Sequence, residues 1–161
     1  MPTVHLSEHF TLAEATFSST ANRKGIDNSQ VSPAVWEAAQ RTALRMEKVR
    51  LILDSKPLHI DSWIRCLALN RELGSKDTSQ HILGEAVDFL APTFGSCVEV
   101  AKAIVAARPL IRYDQLILEH TWVHISFSSP NSVPRGQVLS LLKTGGYAVG
   151  LTNAEGVAYA T

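Results

Sequence analysis

The feature that most constrains this chain is a period-two alternation in two short stretches, Gly84-Glu85-Ala86-Val87-Asp88-Phe89 and Trp122-Val123-His124-Ile125-Ser126-Phe127. Successive side chains on a strand point to opposite faces of the sheet. Val123, Ile125 and Phe127 therefore share one face, which a core would claim, and Trp122, His124 and Ser126 share the other. In the first stretch Asp88 points opposite to Val87 and Phe89, so both neighbours can be buried while the carboxylate faces a cleft. Asp88 and His124 can then project from the same side of one sheet.

Other segments give a consistent picture. Leu58 to Trp63 alternates after Pro57 and reads as a strand. Gln115 to Glu119 and Trp122 to Phe127 read as a hairpin around His120-Thr121. Arg135 to Leu142 reads as a short helix or a strand, and the tail, rich in Gly, Ala and Thr, has no clear period. Helical signals dominate the first third. Thr11 and Glu14 form a capping-box pattern, and Ser7 is a second candidate cap. Ser32 caps and Pro33 opens the clearest helix, with Trp36, Ala39, Ala43, Met46 (or Leu44), Val49 and Leu53 at helical spacing to about Asp54. Ser96 to Arg108 is a second helix, stopped by Pro109; Asn22 to Ser32 and Asn70 to Ser79 read as polar loops. Helices first and strands clustered between Leu58 and Phe127 imply an α+β fold: a mostly antiparallel sheet with helices on one face.

A length of 161 residues allows one domain over residues 1–161, with its core at about 6–127 and a C-terminal segment that completes the fold. Lys plus Arg and Asp plus Glu both total 15, and no basic stripe stands out, so nucleic acid is not an expected partner. The apolar run from Val98 to Ala107 is broken by Glu99 and Lys102, so stable membrane insertion is not expected either. Met1-Pro2-Thr3-Val4-His5 lacks the cationic-then-apolar order of a secretory signal, which points to synthesis in the cytoplasm. Cys66 and Cys97 are too few for a disulfide scaffold. Free thiols are the expectation, with a single disulfide left open because sequence gives no sulfur-to-sulfur distance.

Chemistry gathers around Ser79-Gln80-His81-Ile82-Leu83-Gly84-Glu85-Ala86-Val87-Asp88. Gly84 tolerates a positive φ, so the chain can turn between His81 and Asp88. With His124 this makes two imidazoles and one carboxylate, a donor set that suits one Zn²⁺ ion and leaves a fourth position for water. A lone histidine on a strand is more often a packed or surface residue than a ligand. The ordered set of three is what carries the reading.

The patterns Ser79-x-His81-x-x-Gly84-x-Ala86-Val87-Asp88 and Trp122-Val123-His124-Ile125-Ser126 resemble the M15 family of zinc D-Ala-D-Ala peptidases, especially its small phage-type branch. Leu6 to Phe10 and the segment around Arg65 to Asn70 resemble that branch too, so the similarity covers roughly Leu6 to Phe127. The signalling domain of hedgehog proteins shares the same His-to-Asp spacing and a later His. The resemblance implies His81, Asp88 and His124 as zinc ligands, in the zinc fold common to hedgehog domains and these peptidases. It also implies a glutamate shortly before the last ligand as general base. Glu119, five residues before His124, matches best, while Thr121 stands at the three-residue spacing. His120 is either a further participant or a surface residue at the hairpin tip.

Arg65 is implied to grip a substrate carboxylate through two hydrogen bonds. Its context, Ser62-Trp63-Ile64-Arg65, has Trp63 and Ile64 where relatives often show glycine then an aromatic, and its other reading is a surface ion pair. Ser79 is a candidate donor to substrate or to the ligands, or else a simple turn residue. Asn70 is a candidate for orienting the loop. Asp114 reads as a turn residue or as a partner for the second nitrogen of a ligating histidine. Glu85 reads as solvent-facing or structural. The implied activity is hydrolysis of peptidoglycan stem peptides at the bacterial cell wall by a monomer, as a D-Ala-D-Ala carboxypeptidase or an endopeptidase. The lack of a signal fits a phage lysis enzyme, an endolysin. The alternative is a zinc-bearing wall-binding or structural module without turnover. Glu119 favours an enzyme, because a pure binder has no need of a base beside the metal.

Overall fold

The computed structural model describes residues 2–160. Five helices and six strands run in the order α1 (Leu12–Thr16), α2 (Ser19–Lys24), α3 (Pro33–Ile52), β1 (His59–Ser62), α4 (Leu67–Glu72), β2 (Ala86–Leu90), α5 (Cys97–Ala106), β3 (Gln115–Leu118), β4 (Val123–Ser126), β5 (Gln137–Leu141) and β6 (Tyr147–Val149). The strands form one sheet in the order β1-β2-β4-β3-β5-β6. Every neighbouring pair is antiparallel except β3 and β5. The α+β architecture with a mostly antiparallel sheet is therefore the one expected.

Local chemistry explains where the helices begin. Thr11 and Glu14 close a full capping box on α1, and Ser96 and Glu99 close another on α5. Ser32 caps α3, and Pro33 takes its first turn, where a missing N–H costs nothing. Ser7 caps no helix. Its hydroxyl donates to Glu47 on α3, and its N–H joins a turn that closes on the Phe10 carbonyl. Two short helices go beyond the expected elements. Ser18 caps α2, which Gly25 ends in the left-handed region. Cys66 caps α4, so Asn70, expected at the start of a loop, sits inside a helix anchored by buried Leu69.

The core lies on one face of the sheet. Val87 and Phe89 of β2, Leu116 and Leu118 of β3, and Val123 and Ile125 of β4 are all fully buried there. Ala39, Ala43, Met46 and Val49 of α3 and Val100, Ala101 and Ile104 of α5 complete the same cluster. Such burial is the main stabilising contribution, roughly 1.5–3 kcal/mol for each large apolar side chain. Met46 and Val49 continue the stripe read from the sequence, whereas Leu44 is exposed. The segment from Arg135 to Leu142, open between helix and strand, resolves as β5. The tail adds β6 and a bridge between Thr152 and Ala158. Cys66 and Cys97 are both free thiols. Among the described residues no helix is long and apolar enough to cross a membrane.

Candidate metal centre

Asp88 lies in the middle of β2, and its register partner on β4 is His124. Directly paired residues project to the same side, so both side chains leave the sheet on the face opposite Val87, Phe89, Val123 and Ile125. His81 comes from the turn that precedes β2. Gly84 makes that turn with φ of +73°, and a Cβ there would lie 3.0 Å from the Val35 carbonyl oxygen of α3. Glycine is thus required twice, by its backbone angle and by its closeness to the helix. The fully buried Trp63 fastens the turn: its indole Nε1 donates to the Gly84 carbonyl at 3.0 Å. The Arg65 N–H donates to the His81 carbonyl at 3.1 Å.

Three donor groups converge. One ligand atom each from His81, Asp88 and His124 lies within 4.8 Å of the others. His81 Nδ1 is 2.7 Å from the Trp63 carbonyl, which only accepts, so Nδ1 carries a proton and Nε2 is the nitrogen turned toward Asp88. Nε2 stands 3.2 Å from Asp88 Oδ2, and His124 Nδ1 stands 2.8 Å from Asp88 Oδ1. Burial holds the His81 imidazole below its ordinary pKa. Burial also opposes ionisation of Asp88, but the imidazoles of His81 and His124 outweigh it and keep its carboxyl well below the usual range.

Arg65 joins this group. Its Nη2 donates to Asp88 Oδ2 at 2.7 Å, its Nε to Ser62 at 2.8 Å and its Nη1 to Ser75 at 3.4 Å. The side chain is only 11% exposed, so this ion pair is not a surface one. Ser79 stands in the turn ahead of His81, where its hydroxyl accepts from the His81 N–H at 3.3 Å, and it also lines the open cleft. That cleft, of about 920 Å³, runs along the uncovered face and has His124 on its wall.

Glu119 follows β3 and lies close enough to His124 and Asp88 to interact electrostatically with both. Burial and then Asp88 raise its carboxyl above the ordinary glutamate value, partly offset by His124. The Tyr147 hydroxyl of β6 donates to Glu119 Oε1 at 3.4 Å. His120 takes the left-handed conformation at the hairpin tip, with φ of 65°. Its Nε2 bonds the Leu141 carbonyl at 2.8 Å, so it fastens the tip to β5.

The remaining candidates have structural partners. Asp114 is held by Arg135, with Nη2 to Oδ2 at 2.6 Å, and the second nitrogen of His81 goes to Trp63 instead. Asn70 does orient the loop: its Nδ2 donates to the carbonyls of Ser75 and Lys76. Glu85 is buried rather than solvent-facing and accepts from the Ser129 hydroxyl at 2.7 Å.

The sequence model of the family described as Peptidase M15 matches residues 8–126, well over half of the chain. The chain belongs to the M15 peptidase family. No curated protein matches it. M15 peptidases are zinc-dependent metallopeptidases, so this chain is a hydrolase of peptide bonds. The cluster fits the ion. With Nδ1 of His81 committed to Trp63, its Nε2 faces a carboxylate oxygen at 3.2 Å, an approach that a proton or a metal cation between the two atoms makes favourable. Burial disfavours a proton on that imidazole, and a divalent metal meets the need.

Two residues that hold members of this side-chain group, Trp63 at His81 and Tyr147 at Glu119, escaped sequence reasoning. Trp63 supplies a backbone carbonyl, which no side-chain pattern reveals. Tyr147 lies beyond the matched residues 8–126, on a short strand after Gly145-Gly146 that has no period to read.

Proposed function

We propose that this M15 peptidase cleaves stem peptides of peptidoglycan, with His81, Asp88 and His124 holding one zinc ion and Glu119 as general base. The observation that carries the reading is the placement of Glu119 near His124 and Asp88, with a carboxyl raised in pKa and hydrogen-bonded to Tyr147, which lines the open cleft together with His124. His81 would bind through Nε2 and His124 through Nδ1, because these atoms face Asp88. Bound zinc supplies a Lewis acid that makes water a nucleophile near neutral pH and polarises the scissile carbonyl. Glu119 takes the proton of the attacking water and delivers it to the leaving amine. A raised pKa brings it closer to the operating pH, where such a shuttle works best. Tyr147 holds Oε1 of this carboxylate.

Arg65 steadies Asp88. After its bonds to Asp88, Ser62 and Ser75 it keeps two N–H groups, through which it would meet a substrate carboxylate. Ser79, on the cleft wall, is a candidate donor to a peptide backbone. A D-Ala-D-Ala carboxypeptidase and an endopeptidase share this machinery, and a lysis role for a monomeric enzyme acting at the wall accords with either.

The zinc-loaded protein is incubated with purified peptidoglycan, and soluble products are weighed by mass spectrometry. Released D-alanine means a carboxypeptidase, and cleaved stem peptides mean an endopeptidase. Intact peptidoglycan alongside hydrolysis of unrelated peptides would remove the wall substrate from the proposal.

A further inference from the structure

A second concavity, of about 370 Å³, adjoins the cleft and shares Ser128, Ser129 and Ser132 with it as a common wall. Its charged lining is all of one sign: Arg45 and Lys48 from α3 and Arg112 from the segment before β3. The chain as a whole has no excess of either charge, so this grouping is local. Among the described residues none of the three forms an ion pair with a carboxylate. Arg45 is built in rather than loose: its guanidinium carbon lies 5.2 Å from the Phe127 ring centroid, and Nη1 donates to the Ser128 carbonyl at 3.2 Å. Arg41, one helical turn earlier, adds to the positive field, and Glu85, which the Ser129 hydroxyl already engages, is the acid that opposes it. Ser128 is 9% exposed, and its hydroxyl has no hydrogen-bond partner. A planar guanidinium fork and two further cations on one wall make a receptor for an oxyanion.

We propose that Arg45, Lys48 and Arg112 form an anionic subsite that binds a carboxylate of the substrate peptide, away from the metal. The proposal rests on the peptidase reading above, and continuity with the cleft favours a group on the same bound chain over an unrelated anion. It makes the enzyme selective for acidic stem peptides over their amidated counterparts, because a carboxamide offers no charge and its NH₂ faces cations.

Two synthetic stem peptides are compared that differ only in one internal carboxylate or carboxamide. The wild type is expected to prefer the acid form in kcat/KM, through KM. The preference should fall roughly tenfold in Lys48→Gln and in Arg112→Gln, as for loss of one charge-assisted hydrogen bond. A purely structural defect lowers turnover of both peptides together and leaves the ratio unchanged, which overturns the proposal. NMR titration of the zinc-loaded wild type gives a readout independent of turnover. Backbone signals of residues 128–132 and 112 should shift with the acid peptide and stay put with the amide. Those shifts without cleavage of either peptide retain the subsite and defeat the peptidase reading. Cleavage without those shifts does the reverse. Shifts with inorganic phosphate but not with the acid peptide assign the pocket to a phosphate-bearing ligand and reject the carboxylate.

Discussion

The Nδ1 atom of His81 lies 2.7 Å from the backbone carbonyl of Trp63, and this contact turns Nε2 toward Asp88. A backbone oxygen thus fixes the tautomer of one metal-facing imidazole, a task that carboxylates perform in many metal sites. Because Trp63 also holds the Gly84 carbonyl through its indole, one residue sets both the path of the turn and the aim of its histidine.

The first expectation concerns the ligands. His81→Ala should strip zinc from the purified protein under dialysis, read by elemental analysis. Metal retained at one ion per chain would sink the ligand set. Asp88→Asn should also cost stability, because it leaves the buried Arg65 guanidinium without its counter-charge. The loss is about 3 kcal/mol in denaturant unfolding of the metal-free protein.

Glu119→Gln should keep its zinc and lose turnover by about 10²–10⁴-fold, the range for removal of a general base. Full activity in that variant would reassign the base. Tyr147→Phe should lower kcat by roughly 2- to 10-fold, the worth of one hydrogen bond, with zinc content unchanged.

The pH profile follows from the same contact. Glu119 accepts a proton only when ionised, and its pKa is raised, chiefly by burial. Activity should therefore be lost on acidification through a limb set by protonation of Glu119. The Tyr147 hydrogen bond favours the ionised form. Tyr147→Phe should move the acid limb of kcat to still higher pH, and a shift downward would contradict the contact.

Gly84→Ala tests the turn. A residue with a Cβ pays for φ of +73° and meets the Val35 carbonyl. The expected loss is about 2 kcal/mol in urea unfolding, together with weaker zinc binding, since the turn carries His81. Unchanged stability would show that the turn relaxes freely.

Much of the fold was legible because it rests on local chemistry. The Ser32-Pro33 start of α3, the Thr11–Glu14 box and the alternation around Asp88 and His124 each depend on a few neighbouring residues. Helices α2 and α4 were missed because each is only 6 residues long, too short for a period to emerge. Strand β5 was ambiguous for a related reason: its partner β3 lies about twenty residues away in the chain, and the pairing is parallel.

By itself, the sequence determined the donor types, their order and the faces of the strands that bear them, because period-two geometry converts spacing directly into direction. Gly84 likewise announced a turn. Only the tertiary structure decided what those side chains meet. The Trp63 carbonyl behind His81, the Arg65 guanidinium on Asp88 and the Tyr147 hydroxyl on Glu119 are contacts across 18, 23 and 28 residues of chain. Such contacts arise when the sheet assembles, and nothing in the local spacing of any one segment encodes them.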